Sequence, residues 1–373
     1  MTNDGEIKVA QLIGYMNGGG VESVVMNYFR HIDREKVRFD IIVFEGSTQV
    51  PEEEINALGG RVFYIPSYKH IFASRKAFKK ILAEGGYDIV HSHLNALSVF
   101  YLSVAKKAGI KVRIAHSHST SNPKERARNV LKNMLRPYSR KYATHYFACS
   151  EYAGRWLFGD KAYDDGLVTV INNAIDLGKF AFDGNKRAEL REKFALEDKF
   201  VIGHVGRFMR QKNHAFLIDV FAEVNKKRDD ARLLLLGDGP LTDEIKDKVK
   251  ALSLGDKVVF AGNVSNASEY YSAMDCFVLP SLYEGLPVVG VEAQINGLKC
   301  YFSSEITKEI GLLDSTEFIS LSEGVSGWAE KISSVNETDR VAGYKKMLGS
   351  IYDISSEAKK LEEKYSMYVG KIR

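Results

Sequence analysis

Cysteine and proline are scarce in this chain, with three and seven copies among 373 residues. Cys149, Cys276 and Cys300 lie too far apart for a disulfide framework or a zinc cluster, so each is expected as a small buried apolar residue in a reducing compartment. No window approaches the ~18 uninterrupted apolar residues of a membrane span, and the start MTNDGEIKV has no basic stretch leading into an apolar one. A cytoplasmic protein is expected. Gly-Lys-Ser/Thr occurs nowhere, which weakens a P-loop kinase reading. Internal repeats and low-complexity tracts are missing as well.

What is present is 45% hydrophobic and 27% charged residues, enough to bury a sizeable core. A length of 373 residues points to two domains. Short β-branched or aromatic runs at 7–13, 39–44, 61–65, 88–91, 112–116, 146–149 and 168–171 alternate with amphipathic stretches at 21–31, 74–83 and 97–107. The alternation then restarts, with runs at 200–205, 232–236, 257–260, 276–279 and 299–302 and helical patterns at 215–225 and 241–252. Strands alternating with helices imply βαβ crossovers and parallel sheets. The expected fold class is α/β, as two Rossmann-like β/α/β domains facing each other across a deep cleft. The polar segment 176–198 reads as the boundary, giving domains at 1–180 and 181–350. A helical stretch from 337 to 368 closes the chain, and residues 351–373 are read as a helix packing back on the first domain. Ligands of such sheets lie outside the carboxyl ends of the strands.

Three segments stand at such positions. Asn17-Gly18-Gly19-Gly20-Val21-Glu22 follows the first strand and leads into a helix. Its glycines let backbone N–H groups approach a phosphate at a helix N-terminus, although a flexible strand-to-helix turn explains them equally well. Arg207 and Lys212, in Gly206-Arg207-Phe208-Met209-Arg210-Gln211-Lys212-Asn213, lie just past a strand. There a forked guanidinium and a compact ammonium can clamp a diphosphate, whereas two basic residues in a loop are more often solvated charges. In Tyr283-Glu284-Gly285-Leu286-Pro287, Glu284 precedes a tight turn and Pro287 stands near a helix start, which puts Glu292 in the second helical turn. Two carboxylates so placed can bind separate sugar hydroxyls while the Gly285 and Leu286 amides face phosphates. A helix dipole explains Glu284 without a ligand, but not a carboxylate inside the apolar run at 292.

These motifs in this order, with Leu235-Leu-Gly-Asp-Gly-Pro240, resemble the family 4 retaining glycosyltransferases of GT-B fold. Ala115-His-Ser-His-Ser-Thr120, Ala148-Cys-Ser150, Asn173-Ala-Ile-Asp176 and Val291-Glu-Ala-Gln294 are similar to its bacterial capsular and exopolysaccharide members. The resemblance implies transfer of a hexose-type sugar, with retention, from a nucleotide diphosphate sugar (UDP-linked) to a glycan or lipid-linked oligosaccharide. It implies that Arg207 and Lys212 hold the diphosphate, Glu292 the ribose and Glu284 the donor sugar, with amides of Gly285 and Leu286 nearby. Gly18, Gly19 and Gly20 would approach the donor from the first domain, and Asn263 and Val264 would line the base. The catalytic set so implied is His116, Arg207, Lys212 and Glu284, with His118 as the alternative to His116 opposite the sugar. No cofactor or metal is implied, and Asp-x-Asp, the metal signature of GT-A transferases, is absent. A GT-B UDP-sugar epimerase and a non-catalytic nucleotide-sugar-binding protein are the alternatives. The sequence departs from many relatives at Asn296-Gly297-Leu298-Lys299, where they have Ser-Gly-Leu-Pro.

His91-Ser-His93 and His116-Ser-His118 each end a strand, and alternation puts both members of a pair on one face. Four histidines can hold a metal, yet no carboxylate or cysteine accompanies them, and His91 and His93 read as strand-end packing.

The net charge of +4 divides into +7 for residues 1–180 and −3 for the remainder. Lys124, Arg126, Arg128, Lys132, Arg136, Arg140 and Lys141 carry most of the excess, interleaved with apolar residues at 131, 134, 135 and 138. That spacing reads as a basic amphipathic helix over 123–142. A solvated face is the common reason for such a run; contact with an anionic membrane surface, on the inner face of the plasma membrane, is the second, and nucleic acid is not expected.

Overall fold

Both series of alternating strands and helices fold into wholly parallel sheets in the computed structural model, which describes residues 5–18, 20–118, 133–264, 266–284, 286–335 and 339–370. By their internal contacts the residues divide into unit 1, residues 1–175 with 351–373, and unit 2, residues 176–350.

Unit 1 holds β1 (Ile7–Gly14), β2 (Val37–Phe44), β3 (Val62–Ile65), β4 (Ile89–Ser92), β5 (Val112–Ser117), β6 (His145–Ala148) and β7 (Val168–Val170), in the sheet order β3-β2-β1-β4-β5-β6-β7. Unit 2 holds β8 (Phe200–Val205), β9 (Ala231–Leu236), β10 (Val258–Gly262), β11 (Cys276–Leu279), β12 (Lys299–Ser303) and β13 (Thr316–Ile319), in the order β10-β9-β8-β11-β12-β13. Each order reverses direction once, between β1 and β4 and between β8 and β11, and loops leaving the strands on either side of that point diverge to leave a crevice. Helices cover both faces of the central strands, so consecutive residues are buried: Leu233, Leu234, Leu235 and Leu236 all are.

The polar stretch 176–198, read as the boundary, begins where the units divide, between 175 and 176, and is itself helical. It forms helices Leu177–Phe180 and Gly184–Lys193, started by the side chains of Asp176 and Asp183, which accept hydrogen bonds from the Lys179 amide and from the Asn185 and Lys186 amides. Arg187 and Arg191 on the second helix both reach Asp275 at 2.6 Å. The closing helical stretch is likewise two helices, Arg340–Met347 and Ile354–Gly370, broken where Gly349 takes φ +72°. The last helix packs Ile354, Ala358, Leu361 and Tyr365 into the core of unit 1.

Of the expected basic helix, Lys124, Arg126, Arg128 and Lys132 lie outside the described residues. Of the described part, residues 133–135 are α-helical, and the helix does not continue past them: a 3-10 turn, Arg136–Tyr138, is followed by irregular turns. Pro137 is the cause, since it has no N–H to donate and its ring crowds the preceding turn. Arg136 lies over the Trp156 ring and Arg140 over Tyr146, while Met134 and Tyr138 stay exposed.

Candidate active site

The crevice residues of unit 2 come from two loops, one after β8 and one after β11, that are fastened to each other. The Leu282 amide donates to the Gln211 carbonyl at 2.8 Å, Gln211 Nε2 donates to the Tyr283 carbonyl at 2.9 Å, and Asn213 Nδ2 donates to the Pro280 carbonyl at 3.1 Å. Asn213 sits at φ 58°, a left-handed conformation that asparagine tolerates better than most residues, and helix His214–Lys227 begins directly after it. These fastenings bring Lys212 Nζ to 2.7 Å from Glu284 Oε1. The contact is an ion pair off the line of a hydrogen bond, so Glu284 Oε1 keeps no hydrogen-bond partner. Both side chains are largely enclosed, at 14% and 11% exposure.

A third loop, after β9, closes against the first. Gly237 takes φ +120°, and a Cβ there would stand 2.3 Å from the Gly206 carbonyl oxygen; a Cβ on Gly239 would stand 2.5 Å from that of Phe208. Glycine at 237 and 239 is therefore required by close backbone approach. Next to this junction a cavity of about 330 Å³ is lined by Gly206, Arg207, Leu236, Asp238, Asn263 and Val264, among others. Arg207 is exposed there, and Asn263 and Val264 follow β10.

Glu292, in the second turn of helix Val288–Ile295, accepts a hydrogen bond from the Tyr271 hydroxyl at 2.6 Å through Oε2. Burial pushes its carboxyl up, against the Tyr271 hydrogen bond and the Lys179 charge, which lower it. Leu286 lies just before the Pro287 N-cap of that helix, and Gly285 is outside the described residues. Beneath the fastened loops, buried polar atoms lack partners: His204 Nε2, both ring nitrogens of His214, and Ser281 Oγ. Burial is the main reason that both imidazoles stay neutral, His204 well below its ordinary value and His214 at about 4. A larger cavity, about 540 Å³, opens at the opposite, amino-terminal end of this sheet. The guanidinium groups of Arg187, Arg191 and Arg340 there are committed to Asp275 and to backbone carbonyls and that of Arg228 to Asp230, which makes it part of the scaffold.

In unit 1, Gly18 takes φ +84° and Gly20 opens helix Gly20–His31; Gly19 is outside the described residues. Glu22 of that helix accepts from the Asn17 amide at 2.9 Å, closing the glycine turn on itself. His91, His93, His116 and His118 lie together at the ends of β4 and β5, with neighbouring rings 3.9 to 5.2 Å apart. His116, the first choice for a sugar-facing histidine, is 1% exposed, while His118 is half-buried.

Sequence patterns alone did not point to Tyr271, Gln211 or Asn213 as site partners. Asn213 has a legible signal in its place beside Lys212 in one loop; Tyr271 has none, because its contact to Glu292 depends on how two helices pack.

Comparison with known proteins decides the family. Residues 18–179 match the model described as Glycosyltransferase Family 4, and residues 186–305 match Glycosyl transferases group 1. A Bacillus subtilis protein named as the glycosyltransferase EpsF is 36% identical, over 95% of this chain and 98% of its own. The chain is a family 4 glycosyltransferase.

This glycosyltransferase is also 27% identical, over 80% of each chain, to an Escherichia coli UDP-Gal:alpha-D-GlcNAc-diphosphoundecaprenol alpha-1,3-galactosyltransferase. Among solved structures, a glycosyltransferase from Rickettsia africae superposes with a TM-score of 0.78 at 16% identity, covering 98% of this chain and 99% of that one. HepE of Anabaena in complex with UDP gives 0.69 at 17% identity, with 98% of each chain covered. These neighbours establish the GT-B fold. The epimerase and non-catalytic readings are not favoured.

Proposed function

We propose that this glycosyltransferase moves a hexose-type sugar from a UDP-sugar to a lipid-linked glycan in cell-surface polysaccharide biosynthesis, with retention and without a metal. The observation that carries the reading is the Lys212–Glu284 pair at the direction reversal of the unit 2 sheet, with Arg207 in the adjoining cavity. Two cations and one carboxylate at that point match a leaving diphosphate and a sugar hydroxyl. The bond from the anomeric carbon to the diphosphate oxygen breaks on the face where the acceptor oxygen bonds, and the acceptor proton passes to the departing diphosphate. The enzyme stabilises the developing charge through Arg207 and Lys212, so a divalent ion is not needed for that work. Glu292, through Oε1, which has no partner among the described residues, binds the ribose; Asn263 and Val264 line the base. Thermal protection by a panel of nucleotide sugars tests the donor class, since a ligand that binds only the folded state raises its stability. UDP-sugars should protect the wild-type protein more than Arg207→Ala or Lys212→Ala; equal protection of all three would reject the assignment.

A membrane-facing surface on unit 1 is part of the proposal, supported by Arg136, Arg140 and Lys141 beside exposed Met134 and Tyr138. No helix among the described residues is long and apolar enough to cross a membrane. Sedimentation with anionic but not neutral vesicles, lost on Arg136→Glu with Arg140→Glu, is the expected result.

A further inference from the structure

The four histidines of unit 1 are joined into one chain of hydrogen bonds. His118 Nε2 lies 2.7 Å from His93 Nδ1, and His93 Nε2 lies 2.8 Å from the carboxamide oxygen of Gln11. Gln11 Nε2 donates to the Tyr365 hydroxyl at 3.3 Å. That hydroxyl is 2.7 Å from His91 Nδ1, and His91 Nε2 is 3.0 Å from His116 Nδ1. His116 Nε2, at the far end, is buried without a partner.

Donor and acceptor rules give the chain a direction. A carboxamide oxygen only accepts, so His93 carries its proton on Nε2; its Nδ1 must then accept, and His118 Nε2 is the donor. At the other end the Tyr365 oxygen already accepts from Gln11, and His91 Nδ1 is the acceptor in reach of its own proton. His91 Nε2 then donates to His116 Nδ1, which leaves the His116 proton on Nε2. All four rings therefore hold the same tautomer, with N–H on Nε2. Burial is the main cause keeping all four neutral, His118 down at about 3.

The same distances disfavour a metal centre. Nitrogens bound at 2.0–2.1 Å to a tetrahedral zinc stand about 3.3–3.4 Å apart and need free lone pairs. Here the facing nitrogens are 2.7 and 3.0 Å apart with a proton between them. Beside His116 lies a cavity of about 20 Å³, bounded also by His91, His93, Gln11 and Tyr365. It has room for one water and for no sugar.

We propose that Gln11 and Tyr365 are positioning residues that fix this tautomer, so that His118 offers its Nδ1 lone pair to a hydroxyl of bound sugar substrate while His116 is enclosed behind it. The assignment of a substrate to His118 rests on the transferase reading above; the tautomer chain does not. The test is a two-bond proton–nitrogen NMR correlation on the full-length protein labelled with ¹⁵N-histidine, with His118→Asn to identify the terminal ring. His91, His93, His116 and His118, assigned by the signal that each single His→Asn variant removes, are expected as four Nε2–H rings that do not titrate between pH 8 and pH 5.5. Tyr365→Phe, which keeps the ring packing but frees the Gln11 amide to turn over, should give mixed tautomers. It should lower kcat by the wrongly oriented fraction, about twofold for an even mixture, without moving the donor KM. A tautomer with N–H on Nδ1 at His91, His93, His116 or His118 in the wild type, an unchanged Tyr365→Phe spectrum, or stoichiometric zinc in the purified protein would each overturn the chain; His204 and His31, whose Nδ1 atoms face the Val278 and Asn27 carbonyls, give Nδ1–H signals in either case. Should the tautomers be as stated but His118→Ala transfer sugar at the wild-type rate, the role given to His118 is wrong. The spectrum needs no turnover, so its outcome is independent of the transferase reading.

Discussion

Lys212 Nζ and Glu284 Oε1 stand 2.7 Å apart, each supplied by a loop that leaves one of the two strands flanking the reversal of the unit 2 sheet. The carboxylate thus offsets part of the charge with which Lys212 would attract a diphosphate. Removing it should have opposite effects on two ligands. Glu284→Gln is expected to bind free UDP more tightly, by roughly three- to tenfold or about 1 kcal/mol, and to turn over UDP-sugar more slowly. Calorimetric titration with UDP, alongside steady-state rates, checks both; weaker UDP binding would show that the pair does not compete with the ligand.

The junction of the loops after β8 and β9 depends on two glycines. Alanine at 237 would be forced into φ +120° with its Cβ against the Gly206 carbonyl, and alanine at 239 against that of Phe208. Gly237→Ala and Gly239→Ala should each destabilise unit 2 by at least roughly 2 kcal/mol. Loss of UDP affinity should accompany it, because Arg207 lies in the displaced segment. Denaturant unfolding measures the first quantity and titration the second; unperturbed variants would mean that the backbone can yield here.

Acid should destabilise unit 1 before unit 2. The folded protein holds His91, His93, His116 and His118 in unit 1, and His204 and His214 in unit 2, below their ordinary pKa. In the unfolded chain each takes up a proton as pH falls through about 6.5, and the folded state does not. The unfolded state then binds more protons, so stability drops with falling pH, by about 1.4 kcal/mol per histidine between pH 7.5 and pH 5.5. The loss continues until the folded groups themselves protonate, at about 3 for His118 and about 4 for His214. Calorimetric melts at the two pH values should separate into two transitions, the first from unit 1. A single transition unmoved by pH would contradict the buried, neutral assignment.

Metal removal should leave transfer intact. If Arg207 and Lys212 stabilise the leaving diphosphate as proposed, rates in excess chelator should stay within about twofold of those with magnesium. A loss restored by adding a divalent ion would reject the metal-independent mechanism.

Much of the fold was legible because buried parallel strands are unbroken apolar runs. β13, Thr316–Ile319, escaped notice: it is short and half-exposed at the sheet edge, and Glu317 interrupts it. Polarity at 176–198 marked the boundary, which falls between 175 and 176, but not the helices there, where Asp183, Arg187 and Arg191 face capping and ion-pair partners. Apolar spacing misled at 136–142, where Pro137 stops a helix whatever the periodicity around it. Lys212 and Glu284 could be paired from sequence, since both follow strands that become neighbours. Tyr365 could not, because its hydrogen bond to Gln11 spans 354 residues and depends on the last helix docking on unit 1.

The central claim is that Arg207 and Lys212 grip a nucleotide diphosphate. Its most direct measurement is the dissociation constant of UDP and of UMP for the wild-type protein and for Arg207→Ala with Lys212→Ala. The wild type should prefer UDP over UMP by at least about tenfold, 1.4 kcal/mol, and the double variant should bind both equally weakly. A double variant that holds UDP as tightly as the wild type would contradict it.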